Sequence, residues 1–178
     1  MLSDREADFR TLLETYAGRM YRQAMRILGN REDAEDAVQD ALMRIWKHRR
    51  TFGHRAHVST WIFRITYNAC QAVRARRERS ALLEKALALE PASGGSSELQ
   101  TSPDQSAASG TDILRLLSHL PPLQAAALSL FYVEELQYKE IAQVLKIPPG
   151  SVATAIHRGK QKLRAILTRH HGGPDGKL

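Results

Sequence analysis

The chain is expected to be all-α: two small helical domains joined by a flexible linker, the C-terminal one a helix-turn-helix (winged-helix-like four-helix) domain. Three observations predict this. Large apolar residues recur at helical spacing through both ends of the chain. Between them, Pro91 to Gly110 is rich in Ser, Gly, Gln, Ala and Pro, with a single large apolar residue, Leu99. Two helical segments near the C-terminus then meet across the short turn Lys146-Ile147-Pro148, the outline of a helix-turn-helix. The expected organisation is 1–90, a helical domain; 91–110, the linker; 111–170, the helix-turn-helix domain; and 171–178, a frayed tail.

The first helix spans Asp4 to Leu28, with Phe9, Leu12, Leu13, Tyr16, Met20, Ala24, Ile27 and Leu28 in register. Gly29-Asn30 stops it, since both residues tolerate the left-handed conformation at a helix C-terminus. The second runs from Asn30 to about His48 and turns Ala34, Ala37, Val38, Ala41, Leu42, Ile45 and Trp46 inward. Its first turns hold Glu32, Asp33, Glu35, Asp36 and Asp40. Carboxylates there favour the helix dipole, which is a purely local explanation. On a basic chain they also form a patch that repels DNA and suits a protein partner with exposed arginines.

Arg49 to Val58 reads as a loop broken by Gly53. A third helix follows, capped by Ser59 or Thr60, with Ile62, Ile65, Ala69, Ala72 and Val73 on its apolar side. Trp61, Arg64, Asn68 and Gln71 share the other side. An indole, a guanidinium and two carboxamides match unpaired nucleobases, which stack on π-faces and offer hydrogen-bonding edges. Arg74, Arg76, Arg77 and Arg79 then suit a phosphate backbone. A core tryptophan followed by a solvated basic tail would leave the same pattern. From Ala81 to Glu90 the spacing stays helix-like through Leu82, Leu83, Leu87 and Leu89.

A linker of about twenty residues spans about 22–27 Å root-mean-square as a flexible coil. Beyond it come a short helix from Thr111 (Ile113, Leu116, Leu117), one from Pro122 to Tyr132 (Leu123, Ala126, Ala127, Leu130, Phe131) and one from Gln137 to Leu145 (Tyr138, Ile141, Ala142, Leu145). The last, Pro149 to about Thr168, turns Val152, Ile156, Leu163, Ile166 and Leu167 inward. Outward it carries Ser151, Thr154, His157, Arg158, Lys160, Lys162 and Arg164. Hydroxyls early and cations along the shaft suit a major groove. Gly159 in mid-helix points to close packing.

Composition agrees with an acidic partner. The formal net charge is +7, distributed as about +6 over 1–80, −3 over 81–110 and +4 over 111–178. Nucleic acid is the first expectation and a membrane surface the second. No apolar run reaches the length of a membrane span, so no membrane insertion is expected. The start, Met1 to Glu6, lacks the pattern of a secretory signal. Cys70 is the sole cysteine, which excludes an internal disulfide and a cysteine-rich zinc module. His54 and His57 lack a third ligand nearby, so neither metal nor cofactor is expected.

Taken together these segments resemble the extracytoplasmic-function (ECF) subfamily of bacterial RNA polymerase sigma factors. The marks are Asp33-Ala34-Glu35-Asp36-Ala37-Val38-Gln39-Asp40 before Arg44-Ile45-Trp46, then Thr60-Trp61-Ile62-Phe63-Arg64-Ile65. The third is Leu120-Pro121-Pro122-Leu123-Gln124 before Tyr138-Lys139-Glu140-Ile141-Ala142-Gln143-Val144-Leu145. Their order and spacing, over almost the whole chain outside the termini and linker, make the match specific. The resemblance implies a bacterial cytoplasmic protein whose partners are core RNA polymerase (β′ clamp helices and β subunit), promoter DNA and an anti-sigma factor. It places Asp33, Glu35, Asp36, Gln39 and Asp40 on the clamp helices. It sets Phe52, His54, Arg55, His57, Trp61, Arg64, Asn68, Gln71, Arg74, Arg76 and Arg77 against the minus-ten element. Ser151, Thr154, His157, Arg158, Lys160 and Lys162 would read the minus-thirty-five duplex, with the linker threading the RNA exit path.

Two departures from the family pattern stand out. Where relatives carry basic residues early in the recognition helix, this chain has Ala153 and Ala155 around Thr154. A DNA-contacting family asparagine is matched here by Ala72. The rival reading, a free-standing helix-turn-helix regulator, leaves the acidic helix and the Trp61 face without a role. An enzyme is not expected, because the sequence offers no phosphate loop, nucleophile motif or metal quartet.

Overall fold

The computed structural model describes residues 2–49, 57–87, 116–117 and 119–171, with side chains described from Arg10 to Thr168 within those spans. Among them all regular structure is helical: α1 (Leu2–Leu28), α2 (Arg31–His48), α3 (Val58–Leu87), α4 (Pro122–Tyr132), α5 (Tyr138–Leu145) and α6 (Pro149–His171). The expected linker, most of the helix from Thr111, and the loop residues Phe52, His54 and Arg55 lie outside the described residues; Leu116 and Leu117 are helical.

The α1–α2 junction follows its sequence closely. Gly29 takes φ 76°, a left-handed value that glycine adopts without the Cβ clash. Asn30 caps α2, its side-chain oxygen accepting the Asp33 N–H at 2.9 Å. Ala34, Ala37, Ala41 and Ile45 are buried against α1 and α3, and the small alanines let three helices approach closely. Trp46 does not join them. It is 42% exposed, and the Arg49 guanidinium lies 3.4 Å from its ring centroid, a cation–π stack that covers the indole from outside.

Helix α3 is one continuous element from Val58 to Leu87, taking in the helix-like spacing expected from Ala81. Its buried side is Thr60, Ile62, Phe63, Thr66, Tyr67, Ala69, Cys70 and Val73. Ile65 is half-buried and Ala72 is exposed, contrary to their expected inward position. Neither Ser59 nor Thr60 caps the helix. The first turn closes by Trp61 N–H donating to the His57 carbonyl at 3.1 Å, and the Thr60 hydroxyl is spent elsewhere. Leu82, Leu83 and Leu87 are exposed on the projecting end.

The C-terminal helices pack α4 against α6 and α5 against both. Leu130, Ile141, Val144 and Val152 are fully buried at their centre. Pro121-Pro122 starts α4, where proline's missing N–H costs nothing. A capping box of Gln137 and Glu140 starts α5. Lys146 ends α5 at φ 55°, a left-handed turn made by a residue with a Cβ. Tyr138, Leu123 and Leu167, all expected inward, are 40%, 37% and 40% exposed. Gly159 is buried, and an added Cβ would stand 2.8 Å from Leu128 Cδ1, so the close approach is real.

The two sets of helices pack on each other: α1 on α4, and α3 on α5. The seam is polar. Glu134, beyond the end of α4, accepts from Arg19 Nε at 2.7 Å, and Arg26 Nη1 donates to Ser129 Oγ at 2.8 Å. Thr60 Oγ1 donates to Glu140 Oε1 at 2.9 Å. No described helix is long and apolar enough to cross a membrane.

Candidate nucleic-acid interface

Helix α3 presents the first surface. The positions opposite its buried side, taken by helical spacing, are Trp61, Arg64, Asn68, Ala72, Ala75 and Arg79, with Gln71 on the flank. Arg64 is exposed, while Trp61, Asn68 and Gln71 are half-buried. The expected stripe is therefore assembled, although Trp61 makes contacts of its own. His57, exposed at the head of the helix, extends it.

The basic end of α3 does not continue that stripe as a unit. Arg77 turns toward α2 and donates to Asp33 Oδ2 at 2.6 Å. Arg74 pairs with Glu78 at 3.0 Å on another side. Arg76 is exposed and lines, with Asp33, Asp36, Arg77 and Glu84, a shallow groove between α2 and α3. Arg79, five helical turns on from Trp61, is the arginine that shares its face.

The second surface is the acidic side of α2. Glu35, Asp36 and Gln39 are exposed, Asp33 and Asp40 half-buried. Several of these carboxylates are already engaged within the chain. Arg31 pairs with Glu35 and Arg44 with Asp40, each at 2.7 Å and four residues apart, while Asp33 holds Arg77 and Asn30. Asp36 and Gln39 carry no such bond among the described residues, which makes them the readiest contacts for an incoming cation. The patch is thus less negative than its composition implies.

The third surface is the outer side of α6. Ser151, Thr154, His157, Arg158, Lys160 and Lys162 are all exposed. Helical spacing centres this face on Thr154, His157, Arg158 and Gln161, with Lys160 and Lys162 on opposite flanks. Gln161, unremarked in the sequence pattern, is exposed and bonded to His157 Nε2 at 3.0 Å. The signal that would have found it is its spacing of seven from Thr154. Lys160 Nζ leans over the Tyr132 ring at 5.9 Å, away from the centre of the face. Thr154 Oγ1 returns to the Gly150 carbonyl at 3.2 Å. Ala155 is buried, so a basic side chain there would face the domain core, and Ala153 alone of the two alanines is an open position.

Cys70 is buried, and burial pushes its thiol pKa up to about 12. Burial also raises the Tyr67 hydroxyl, a trend opposed by nearby Arg74. No cluster of three or more metal-ligating side chains occurs among the described residues.

Comparisons with known proteins cover both sets of helices. Residues 12–80 match the family model "Sigma-70 region 2" and residues 111–163 match "Sigma-70, region 4". The chain is 35% identical over 161 residues to the ECF RNA polymerase sigma factor SigE of Mycolicibacterium smegmatis, covering 89% of this chain but 61% of that protein. It is 30% identical to the ECF sigma factor SigL of Mycobacterium tuberculosis and 29% identical to SigW of Bacillus subtilis, covering 89% of this chain and 88% of each relative. Among solved structures the fold resembles the sigma factor RpoE in complex with the anti-sigma factor NepR from Bartonella quintana. That match has a TM-score of 0.69 at 21% identity, covering 90% of this chain and 97% of the other. It also resembles CnrH in complex with the cytosolic domain of CnrY, with a TM-score of 0.62 at 24% identity over 92% and 90% of the two chains.

Proposed function

Because the chain belongs to the ECF RNA polymerase sigma factors, we propose that its three surfaces divide the work of promoter-specific initiation. Sigma factors are non-enzymatic subunits, so binding and positioning do all of it. Asp36, Gln39 and Asp40 on α2, with Asp33 and Glu35 beside them, dock on the β′ clamp helices, and further contacts reach the β subunit. The Trp61, Arg64, Asn68 and Gln71 face captures unpaired bases of the minus-ten non-template strand, with His57 and the loop residues Phe52, His54 and Arg55 at its head. Arg74, Arg76 and Arg77 stand behind it for backbone phosphates. The outer side of α6 sits in the minus-thirty-five major groove through Ser151, Thr154, His157, Arg158, Lys160 and Lys162.

The physics is that of base capture. Unstacking a base costs a few kcal/mol, and stacking on an indole with edge contacts to two carboxamides offsets part of it. Polymerase binding at the acidic helix supplies the remainder. The domains are taken as 1–90 and 111–170 joined through 91–110, with a tail at 171–178, and an anti-sigma factor acts by covering these faces in a bacterial cytoplasm.

One observation carries the reading: the half-buried Trp61, Asn68 and Gln71 with exposed Arg64 lie on one side of α3, opposite its core. A free-standing duplex regulator has no use for that face. The test is run-off transcription with purified core polymerase on a genomic fragment pool. Starts downstream of one shared bipartite motif are expected. A chain that binds duplex but never starts RNA synthesis with core polymerase overturns the proposal.

A further inference from the structure

Helix α1 hides a polar stripe in its apolar side. Arg19, Gln23 and Arg26 fall at i, i+4 and i+7, and Gln23 and Arg26 are buried. They face α4 and the turn beyond it. Glu134, whose side chain is 1% exposed, takes Arg19 at 2.7 Å and lies 3.8 Å from Arg26, whose Nη1 also reaches Ser129. Arg19 is itself placed over the Tyr16 and Phe63 rings at 5.0 and 5.2 Å. At the other end of the seam Thr60, one residue before Trp61, is tied to Glu140 of the α5 capping box.

We infer that this is a latch: Glu134, gripped by Arg19 and Arg26, holds the two halves of the chain in a closed resting form that must open for promoter binding. The inference rests on the functional reading above. Elements named for positions ten and thirty-five lie 25 base pairs apart, about 85 Å of duplex. A closed globule of this chain length is about 40 Å across. The chain between Leu87 and Leu116 can extend to about 100 Å, enough to let the halves separate. A buried charge network sits within the apolar packing that the two halves share. Both polar atoms of the Gln23 amide, Arg26 Nε and Glu134 Oε1 are buried without a hydrogen-bond partner. Those groups gain water when the halves part, so their exposure favours opening, while the charged contacts, beside the apolar packing of the shared core, favour closure. Burial lowers the Arg26 pKa and Glu134 opposes that shift, as expected for a cation kept in place by one carboxylate.

The test uses the full chain carrying Glu14→Cys and Gln143→Cys, labelled for energy transfer; Cys70 is buried and stays unlabelled. The wild-type background should be mostly high-transfer when free and shift to low transfer on core polymerase and promoter. Glu134→Gln and Arg26→Met should each reduce the closed-to-open ratio at least tenfold at native helicity. Both should also lower the sigma concentration needed for half-maximal initiation. Thr60→Val, a milder change, should move the ratio the same way by less. A free chain already at low transfer, or one that remains at high transfer in an initiating complex, overturns the latch. So does an unchanged ratio in both charge variants with intact helicity. Failure to initiate at all would count against the functional reading and leave the free-chain transfer result standing.

Discussion

Arg77 Nη1 donates to Asp33 Oδ2 at 2.6 Å, which ties the basic end of α3 to the acidic start of α2. The pair joins a carboxylate assigned to polymerase with an arginine assigned to DNA, so neither is fully available until the other is displaced. Its side chains are 51% and 19% exposed, and such pairs contribute under about 1 kcal/mol. Arg77→Ala is therefore expected to cost less than about 1 kcal/mol in denaturant unfolding, while raising affinity for core polymerase. Asp33→Ala also loses the hydrogen bond from Asn30 Nδ2 at 2.8 Å, and should destabilise more than Arg77→Ala. Polymerase titrations in which Arg77→Ala binds no better than wild type would refute the competition.

Gly159 lies where α6 crosses α4, and a Cβ there meets Leu128 Cδ1 at 2.8 Å, Cγ at 3.2 Å and Gln124 Cβ at 3.4 Å. Alanine would gain about 1 kcal/mol of helix propensity, but overpacking a buried contact costs about 1–3 kcal/mol. Gly159→Ala should therefore be neutral to destabilising, against the usual helix trend. Combined with Leu128→Ala it should lose less than the sum of the two single changes, read as a coupling energy in unfolding curves. Strict additivity would show that the contact is slack.

Cys70 is inert in the folded chain. With its thiol pushed up to about 12 by burial, thiolate is scarce near neutral pH. An aromatic disulfide reagent should leave it intact in buffer at neutral pH and titrate one thiol after unfolding. The sign for stability follows from the raised pKa. The contribution is whole below the unfolded thiol's pKa and is lost as pH rises toward about 12. Wild type should thus lose stability faster than Cys70→Ala above about pH 9.

Much of this was legible in the sequence because short-range chemistry fixes it. Gly29 makes the left-handed stop expected of Gly29-Asn30, while Asn30 stays extended and caps α2. The alanine side of α2 and the Trp61 face of α3 follow from spacing alone. Trp46 went astray because the inward arc of a helix is wide, and Arg49, three residues on, can cover an indole from outside. The polar stripe of α1 was overlooked for the opposite reason. Arg19, Gln23 and Arg26 sit among Met20, Ala24 and Ile27, and charged residues in an apolar run read as its solvent edge. The partners of Arg26 are Ser129 and Glu134, more than 100 residues further on, and no periodicity within one helix reports a partner in another.

The centre of the α6 face holds one arginine and one carboxamide, and their effects should separate. Arg158 is exposed on the shaft, with Ser151 and Thr154 nearer the N-terminal turn that enters a groove first. Arg158→Ala should weaken duplex binding about equally for all sequences and reduce the salt slope by about one, the signature of a lost phosphate contact. Gln161 has a carboxamide able to pair with both polar atoms on an adenine edge, and His157 holds it at 3.0 Å. Gln161→Ala should leave the salt slope intact and relax discrimination at one base pair by about 1–3 kcal/mol. His157→Ala should give part of the same loss, since it frees the carboxamide to rotate. Binding titrations over single-base variants of the minus-thirty-five duplex, at two salt concentrations, distinguish these outcomes. If Arg158→Ala instead altered one base preference at constant salt slope, the arginine would be the reader. The face would then resemble its relatives more than Ala153 suggests.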